Sequence, residues 1–278
     1  MFLFYTDSVL RFFRTLPVYR GIHMIAHLPV PLEKKLTRAV SQCSIAWKLI
    51  EEGDRIMVGF SGGKDSLLLI HLLSAIQRIV PFSFKIGVFH LNQSAPEFPA
   101  KEVLERLRAE GYEVWSEDLN TEEILSQKVK PGESPCGLCS RLRRGILYTQ
   151  ATLHGYHKIA LGHHRDDAIE TLLMNMFFNG QLKSMPARLL ADNGTNVVIR
   201  PMLYIPEALL IEATQYLDIP VTHQTFCTRG ACGQRYEMKQ LLSQIEKRNP
   251  NAKGSLLRAL HHVVPSHLLD PTVGKVEG

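Results

Sequence analysis

Short apolar runs alternate with longer amphipathic stretches along most of this 278-residue chain. The short runs are bounded by turn residues, which is typical of buried strands, and they lie at 55–60, 84–91, 112–115, 158–161 and 197–199. The longer stretches have helical spacing and lie at 34–50, 66–80, 101–110, 141–154 and 166–178. Strands that alternate with helices predict an α/β fold with a mostly parallel sheet covered on both faces.

The strand signal stops after about Cys227, and the last part of the chain predicts two helices, at 236–247 and 254–264. We therefore expect three parts. Residues 1–32 form an N-terminal extension that is poorly ordered, residues 33–225 form the α/β domain, and residues 226–278 form a helical C-terminal tail.

The composition is that of a soluble globular protein, with 45% hydrophobic and 21% charged residues, which excludes disordered and fibrous classes. Charged residues interrupt the apolar N-terminal stretch, so no segment predicts a membrane span. The cysteine count is five, an odd number, and no secretory signal precedes them. These features predict a cytoplasmic protein without a disulfide scaffold. The net charge of +5 suits an anionic partner such as nucleic acid, although charge alone decides nothing.

A glycine-rich hexapeptide joins the first predicted strand to the helix after it, and it reads Ser61-Gly62-Gly63-Lys64-Asp65-Ser66. Glycines allow a tight turn there, and the amides and dipole of the helix start favour an anion. Lys64 adds a positive charge, and Asp65 can hold Mg²⁺ against phosphate oxygens. The spacing is not that of a Walker A loop. The alternative is a turn without a ligand, but a position between strand and helix argues against it.

A second polar sequence, G-H-H-R-D-D at 162–167, follows the fourth predicted strand. It should therefore open at the same sheet edge as the phosphate loop. The adjacent carboxylates Asp166 and Asp167 can carry Mg²⁺ or position a substrate. They can also serve as a helix N-cap and a second dipole-stabilised acid, and the two roles are compatible.

Four of the five cysteines form two sequence pairs. Cys136 and Cys139 form a CxxC pair in an expected loop, and Cys227 and Cys232 form a C-x4-C pair, whereas Cys43 lies within a helix and reads as a small buried residue. Four cysteines can hold a structural zinc ion, and three can hold a [4Fe–4S] cluster with one open iron. Spacing alone leaves both alternatives open.

Several motifs resemble known families. The hexapeptide resembles the SGGKDS loop of PP-loop pyrophosphatases. The segments CGLCSRLRRGILY at 136–148, GHHRDD at 162–167, MNMFF at 174–178, KSMP at 183–186, VIRP at 198–201 and VPSHL at 264–268 are similar to the tRNA 2-thiocytidine synthetases. The resemblance extends from about residue 33 to 270.

The resemblance implies an activity and a set of cofactors. ATP, with Mg²⁺, adenylates the C2 oxygen of cytidine 32 in the tRNA anticodon loop. A [4Fe–4S] cluster on three cysteines then delivers sulfur that comes from a cysteine desulfurase, giving 2-thiocytidine. The implied fold is a doubly wound, mostly parallel sheet of the adenine nucleotide α-hydrolase type with a helical C-terminal tail, and a homodimer is compatible with it.

The resemblance also implies residue roles. Residues 33–225 become the PP-loop ATP-binding catalytic domain, and the tail carries the third cluster cysteine. The catalytic residues are Lys64, Asp65, Asp166 and Asp167. The nucleotide-binding residues are Ser61, Gly62, Gly63, Lys64, Asp65, Ser66, Gly162 and His163. The cluster ligands are Cys136, Cys139 and Cys227, and Asp65 binds magnesium.

Two positions depart from the family pattern. The family usually has a CxxC pair near the third ligand, but an ungapped comparison places Gln224 on its first cysteine and Cys227 on its second. Cys232 is then out of register, so we expect Cys227 to be the ligand. Asn92-Gln93 stands where the family often has Asp-Gln, which removes a carboxylate near the expected adenosine pocket.

A basic run of Arg141, Arg143 and Arg144 directly follows the CxxC pair. Contact between these side chains and phosphates would hold tRNA near the sulfur source, whereas the alternative is a solvated helix face. Related PP-loop enzymes that make 2-thiouridine or lysidine are rival assignments, and so is an ATP-sensing module with a structural zinc ion. Lysidine chemistry has no use for three cysteines, and the 2-thiouridine enzymes with a similar cluster carry terminal zinc-ribbon cysteines.

Overall fold

The computed structural model describes residues 26–92, 100–129, 136–218, 233–270 and 272. The strands are β1 (Arg55–Phe60), β2 (Lys85–Asn92), β3 (Glu113–Asp118), β4 (Lys158–Ala160), β5 (Arg188–Leu190) and β6 (Val197–Ile199). The helices are α1 (Val30–Trp47), α2 (Lys64–Gln77), α3 (Ala100–Ala109), α4 (Thr121–Lys128), α5 (Cys136–Leu153), α6 (Arg165–Asn179), α7 (Glu207–Thr214), α8 (Gln234–Glu246) and α9 (Ala252–His261). A short 3-10 turn follows at Pro265–His267.

In the described part of the chain, the strands form one sheet in the order β3-β2-β1-β4-β6-β5. All neighbours pair in parallel except β5, which runs antiparallel to β6 at the edge. The strand order runs one way from β1 and the other way from β4, which confirms the predicted doubly wound, mostly parallel sheet. The switch point lies between β1 and β4, and folds of this kind bind ligands beyond the carboxyl ends of the strands there.

Strand β1 has apolar side chains on both of its faces, and helices cover both faces of the sheet. Ile56, Val58 and Phe60 belong to the apolar core that packs against α1, α2 and α7. Met57 points the other way, into a second core that includes Leu147 of α5. Successive side chains of a strand alternate between faces, so an unbroken apolar strand needs cover on both.

The structure differs from the predicted elements in several places. Strand β5 and helices α4 and α7 were not predicted from the sequence, and the CxxC pair does not lie in a loop as expected, because α5 begins at Cys136. Helix α1 begins at Val30, within the predicted extension 1–32, and buried Leu32 packs in the core. Residues 1–25 of that extension lie outside the described residues. The helical C-terminal tail is confirmed by α8 and α9.

No helix in the described ranges is long and apolar enough to cross a bilayer.

The second core is built around Tyr156, whose ring lies against the backbone of β2. The Tyr156 hydroxyl donates a 2.8 Å hydrogen bond to Glu113 Oε2, and the Arg55 guanidinium carbon lies 4.6 Å from the ring centroid. A Cβ atom at Gly87 would lie 2.5 Å from Tyr156 Cζ, which is closer than van der Waals contact allows. The Tyr156 ring can therefore lie against β2 only because Gly87 has no side chain.

We predict that Gly87→Ala lowers the free energy of unfolding by about 1–3 kcal/mol, because the buried ring must move. Gly145→Ala in α5 is the matched control, since its Cβ would meet no atom within 4 Å. That change should be neutral or stabilise the helix by up to about 1 kcal/mol. Urea denaturation of both variants measures the difference, and equal effects would contradict the packing described here.

Candidate active site

The glycine-rich loop turns directly from β1 into the first turn of α2. Gly62 has a φ of +82°, in the left-handed region that favours glycine. The Ser61 amide donates to Ser66 Oγ at 3.1 Å, and Ser66 Oγ donates to the Gly63 carbonyl at 3.0 Å. These bonds fix a closed loop in front of the helix start. The first amides of a helix have no partner within the helix, so they are suited to an anion.

Lys64 and Asp65 neutralise each other at the start of α2. The Lys64 ammonium donates to both Asp65 carboxylate oxygens at 2.9 Å, and both side chains are partly exposed. A phosphate group at the loop would compete for Lys64. The Asp65 carboxylate would then be available to a cation.

The loop after β4 touches the first turn of α2 through Gly162. A Cβ atom at Gly162 would lie 3.0 Å from both the Asp65 carbonyl carbon and the Ser66 amide nitrogen. Backbone therefore meets backbone without an intervening side chain. The structure brings Gly162 against the phosphate loop, with His163 directly after it in the chain.

His163 is held by Arg200, a residue that directly follows β6. Arg200 Nε donates to His163 Nδ1 at 3.3 Å, and Arg200 Nη1 donates to the Pro186 carbonyl at 2.8 Å. Burial, with the positive charges of Arg200 and Arg235, lowers the pKa of His163 to about 4, although Asp167 opposes the shift. The imidazole is therefore neutral near pH 7, and with Nδ1 accepting, Nε2 carries the proton.

Asp166 is buried, and both of its carboxylate oxygens have partners. Oδ1 lies 2.9 Å from Lys253 Nζ, and Oδ2 accepts a 2.9 Å hydrogen bond from the Glu207 amide at the start of α7. Burial alone would raise the pKa of Asp166, but the bonds from Lys253 and the Glu207 amide outweigh it and lower the pKa. The ionised Asp166 carboxylate thus joins the start of α6 to α7 and α9. Its predicted catalytic role stays a prediction.

Asp167 combines helix capping with an ion pair. Its Oδ2 accepts a 3.0 Å hydrogen bond from the His164 amide, and its Oδ1 accepts a 2.8 Å bond from Arg235 Nη1 of α8. Burial opposes ionisation, but the neighbouring His164 side chain, the hydrogen bond from the His164 amide and the charge of Arg235 together lower the pKa of Asp167. The N-cap of α6 is His164, so the expected aspartate N-cap was wrong. Asp167 lies at the third helical position and binds the N-cap amide from there.

His164, the N-cap residue of α6, is buried. Its Nδ1 has no hydrogen-bond partner among the described residues, and its Nε2 lies 3.5 Å from Asp167 Oδ2. Within the described ranges, no group of three or more histidine, cysteine or acidic side chains is arranged to hold a metal ion. Asp65, Asp166 and Asp167 therefore do not form one shared metal site.

The cysteines are described only in part. Cys139 lies in the first turn of α5 as a partly buried free thiol. Cys43 is fully buried in α1, and burial raises the pKa of its thiol to about 12, in keeping with an unreactive core residue. The side chain of Cys136 lies outside the described residues, and so do Cys227, Cys232, Gln224 and Gln93. At the other departure from the family pattern, Asn92 Nδ2 donates to Asp118 Oδ1 at 2.7 Å.

The basic run after the CxxC pair lies on the exposed surface of α5, with Arg141, Arg143 and Arg144 all exposed. The pKa of His90, at the end of β2, is lowered chiefly by burial and in part by the charge of Arg143. Burial also lowers the pKa of Arg200, and Arg144 adds to this shift.

Glu170, one turn after Asp166 on α6, was missed by sequence reasoning. Its side chain is buried, and its Oε2 lies 3.5 Å from Arg235 Nη1. Burial raises the pKa of Glu170 to about 7, while Arg235 opposes the shift and Asp167 adds to it. Three acids within five residues at the start of a helix are a sequence signal for cations supplied by another element.

We predict that Glu170→Gln removes a pH dependence of stability. Between pH 4.5 and about 7 the folded chain holds a proton on Glu170 that the unfolded chain has released. The free energy of unfolding should therefore fall as pH rises through this window and level off above it. In the variant, stability relative to the wild type should be higher at pH 8 than at pH 5, by roughly 1–3 kcal/mol. Urea denaturation at both pH values tests this, and an identical difference at both would contradict the assignment.

Comparisons with known proteins agree with this geometry. Residues 30–223 match the family model of the PP-loop domain. A tRNA-cytidine(32) 2-sulfurtransferase from Polynucleobacter asymbioticus is 44% identical over 239 residues, which cover 86% of this chain and 79% of the relative. A protein of the same name from Geobacter metallireducens is 43% identical over 247 residues, covering 87% of this chain and 95% of the relative.

A solved structure has a similar fold. The U34-tRNA thiolase NcsA from Methanococcus maripaludis, determined with its [4Fe–4S] cluster, superposes with a TM-score of 0.63 at 20% identity, covering 88% of this chain and 86% of NcsA. At this identity the likeness concerns the fold alone. With the family model and the relatives above, it leads to one assignment: the chain belongs to the PP-loop family of tRNA-cytidine(32) 2-sulfurtransferases.

Proposed function

We propose that this protein is an ATP-dependent enzyme that thiolates cytidine 32 of tRNA, by adenylation of the base and transfer of sulfur from an iron–sulfur site. One observation carries the proposal. The phosphate loop and the Gly162 loop meet backbone to backbone at the switch point of the sheet, in a chain 44% identical to a protein of that name. Residues 33–225 act as the catalytic domain, and residues 226–278 act as the tail that carries the third cluster cysteine.

The phosphate loop supplies the nucleotide site. Amides and hydroxyls between Ser61 and Ser66 bind phosphate oxygens, and the positive φ of Gly62 supports the tight turn that this needs. Lys64 moves from Asp65 to a phosphate, and Asp65 then binds Mg²⁺. Gly162 and the neutral His163 form the opposite wall, where His163 Nε2 donates a hydrogen bond. Asp166 and Asp167 keep that wall in place.

The start of α5 suits two cluster ligands. Cys136 and Cys139 are three residues apart on a helix, a spacing that places side chains on one face. Cys227 is the third ligand. When bound, a [4Fe–4S] cluster on three cysteines supplies one open iron that can carry sulfur.

The exposed arginines of α5 hold the RNA. Arg141, Arg143 and Arg144 extend from the same helix that begins with the cysteines, so phosphate contacts there place the substrate next to the sulfur source. The sulfur comes from a cysteine desulfurase, the reaction takes place in the cytoplasm, and a homodimer is compatible with this arrangement.

We predict that Lys64→Ala and Asp65→Ala each reduce tRNA-dependent pyrophosphate release from ATP by about 100-fold or more, because each removes a charge that acts on the reacting phosphates. Both side chains are partly exposed in the first turn of α2, so the free energy of unfolding should change little. Lys85→Ala is the control, since Lys85 is an exposed lysine at the opposite edge of the sheet. Wild-type rates in both loop variants would contradict the assignment.

We predict an oxygen-sensitive cluster that is lost in Cys136→Ala, Cys139→Ala and Cys227→Ala. Cys43→Ala should keep it because this thiol is buried and protonated, and Cys232→Ala should keep it because Cys232 is out of register. Anaerobic purification followed by iron, sulfide and zinc analysis provides the measurement. One equivalent of zinc that Cys232→Ala also removes would instead indicate a closed structural site with four ligands.

A further inference from the structure

Two cations of the C-terminal helices reach the carboxylates that follow β4. Arg235 Nη1, in the first turn of α8, donates to Asp167 Oδ1 at 2.8 Å. Lys253 Nζ, in the first turn of α9, lies 2.9 Å from Asp166 Oδ1 and 3.0 Å from Glu246 Oε2. Asp166 and Asp167, in the first turn of α6, thus each bind a cation from a different C-terminal helix. We call these two contacts the C-terminal lock.

The lock acts on an apolar contact that is already present. Met238 and Leu242 of α8 pack with Ile169 and Leu173 of α6 in a small core of their own. Apolar packing of this kind is non-directional and fixes position only loosely. The hydrogen bond from Arg235 to Asp167, at the start of α6, fixes the position of α8 along the axis of α6. It can do so because a charge-assisted hydrogen bond has a narrow range of geometry.

An unbroken series of contacts joins the phosphate loop to the start of α8. The first turn of α2 touches Gly162, the chain continues from Gly162 to the capping carboxylate Asp167, and Asp167 binds Arg235. Arg235 lies three residues after Cys232 and eight residues after Cys227. The lock therefore ties the start of α8, which follows both cysteines closely in sequence, to the loop that touches α2.

We propose that Arg235 and Lys253 are positioning residues for sulfur transfer. By binding Asp167 and Asp166 they hold the C-terminal helices against the catalytic edge, and this keeps the cysteine-bearing stretch before α8 within reach of the adenylated base. This inference rests on the proposed function for its use of the cysteines. In this proposal Asp166 and Asp167 help to align the adenylation step with the sulfur-transfer step.

The first experiment tests the lock itself, in the reduced full-length chain without metal. Hydrogen–deuterium exchange of amides in α8 and in the first turn of α6 should become about tenfold faster in Arg235→Ala, because a charge-assisted bond is lost. Arg235→Lys should restore part of the protection. Lys239→Ala is the matched control, because Lys239 lies one turn along α8 but pairs with Glu207 at 2.9 Å rather than with the Gly162 loop. Wild-type exchange in Arg235→Ala, or equal acceleration in Lys239→Ala, would overturn the lock.

The second experiment tests positioning, with the protein purified anaerobically. The lifetime of its visible absorption in the presence of an iron chelator should shorten about tenfold in Arg235→Ala and in Lys253→Met, as for other residues that orient metal ligands, and stay at the wild-type value in Lys239→Ala. A wild-type lifetime in both lock variants, with faster exchange in α8, would overturn the positioning role. A wild-type protein without iron would contradict the proposed function instead, and the exchange experiment would still decide whether the lock exists.

Discussion

The site depends on a backbone contact between Gly162 and the first turn of α2. Because β1 and β4 are neighbours and parallel, their following loops leave the sheet at the same edge. The loops can touch only because position 162 has no side chain, since a Cβ atom there would lie 3.0 Å from two backbone atoms. The phosphate loop, the neutral His163 and the cap of α6 all take their positions from this contact.

The same contact explains the attachment of the C-terminal helices. A loop that lies close against α2 places Asp166 and Asp167 in a largely buried position, and buried carboxylates require cations or donors. Arg235 and Lys253 supply the charges, and the amide of Glu207 supplies a donor. The need to pair the buried carboxylates Asp166 and Asp167 thus holds α8 and α9 at the catalytic edge of the sheet. These two helices follow Cys227 and Cys232 in the chain.

Much of the fold could be predicted because β1 and β2 are apolar on both faces and the turns that flank β1 contain glycine. Strand β5 could not, because its three residues are exposed and carry no alternating pattern. The phosphate loop was visible as a local motif, and the meeting of the two loops followed from the parallel order. Arg235 and Lys253 were missed because they bind acids 68 and 87 residues earlier in the chain, a pairing that local sequence does not encode. The closely spaced acids Asp166, Asp167 and Glu170 were the sequence signal that cations from another element would bind there.

The most direct test of the central claim is mass analysis of nucleosides from tRNA incubated anaerobically with the purified protein, ATP, Mg²⁺ and inorganic sulfide. The account predicts 2-thiocytidine with the wild-type protein and none with Lys64→Ala or Cys139→Ala. Thiolation at a uridine, or 2-thiocytidine formed equally well by the two variants, would contradict it.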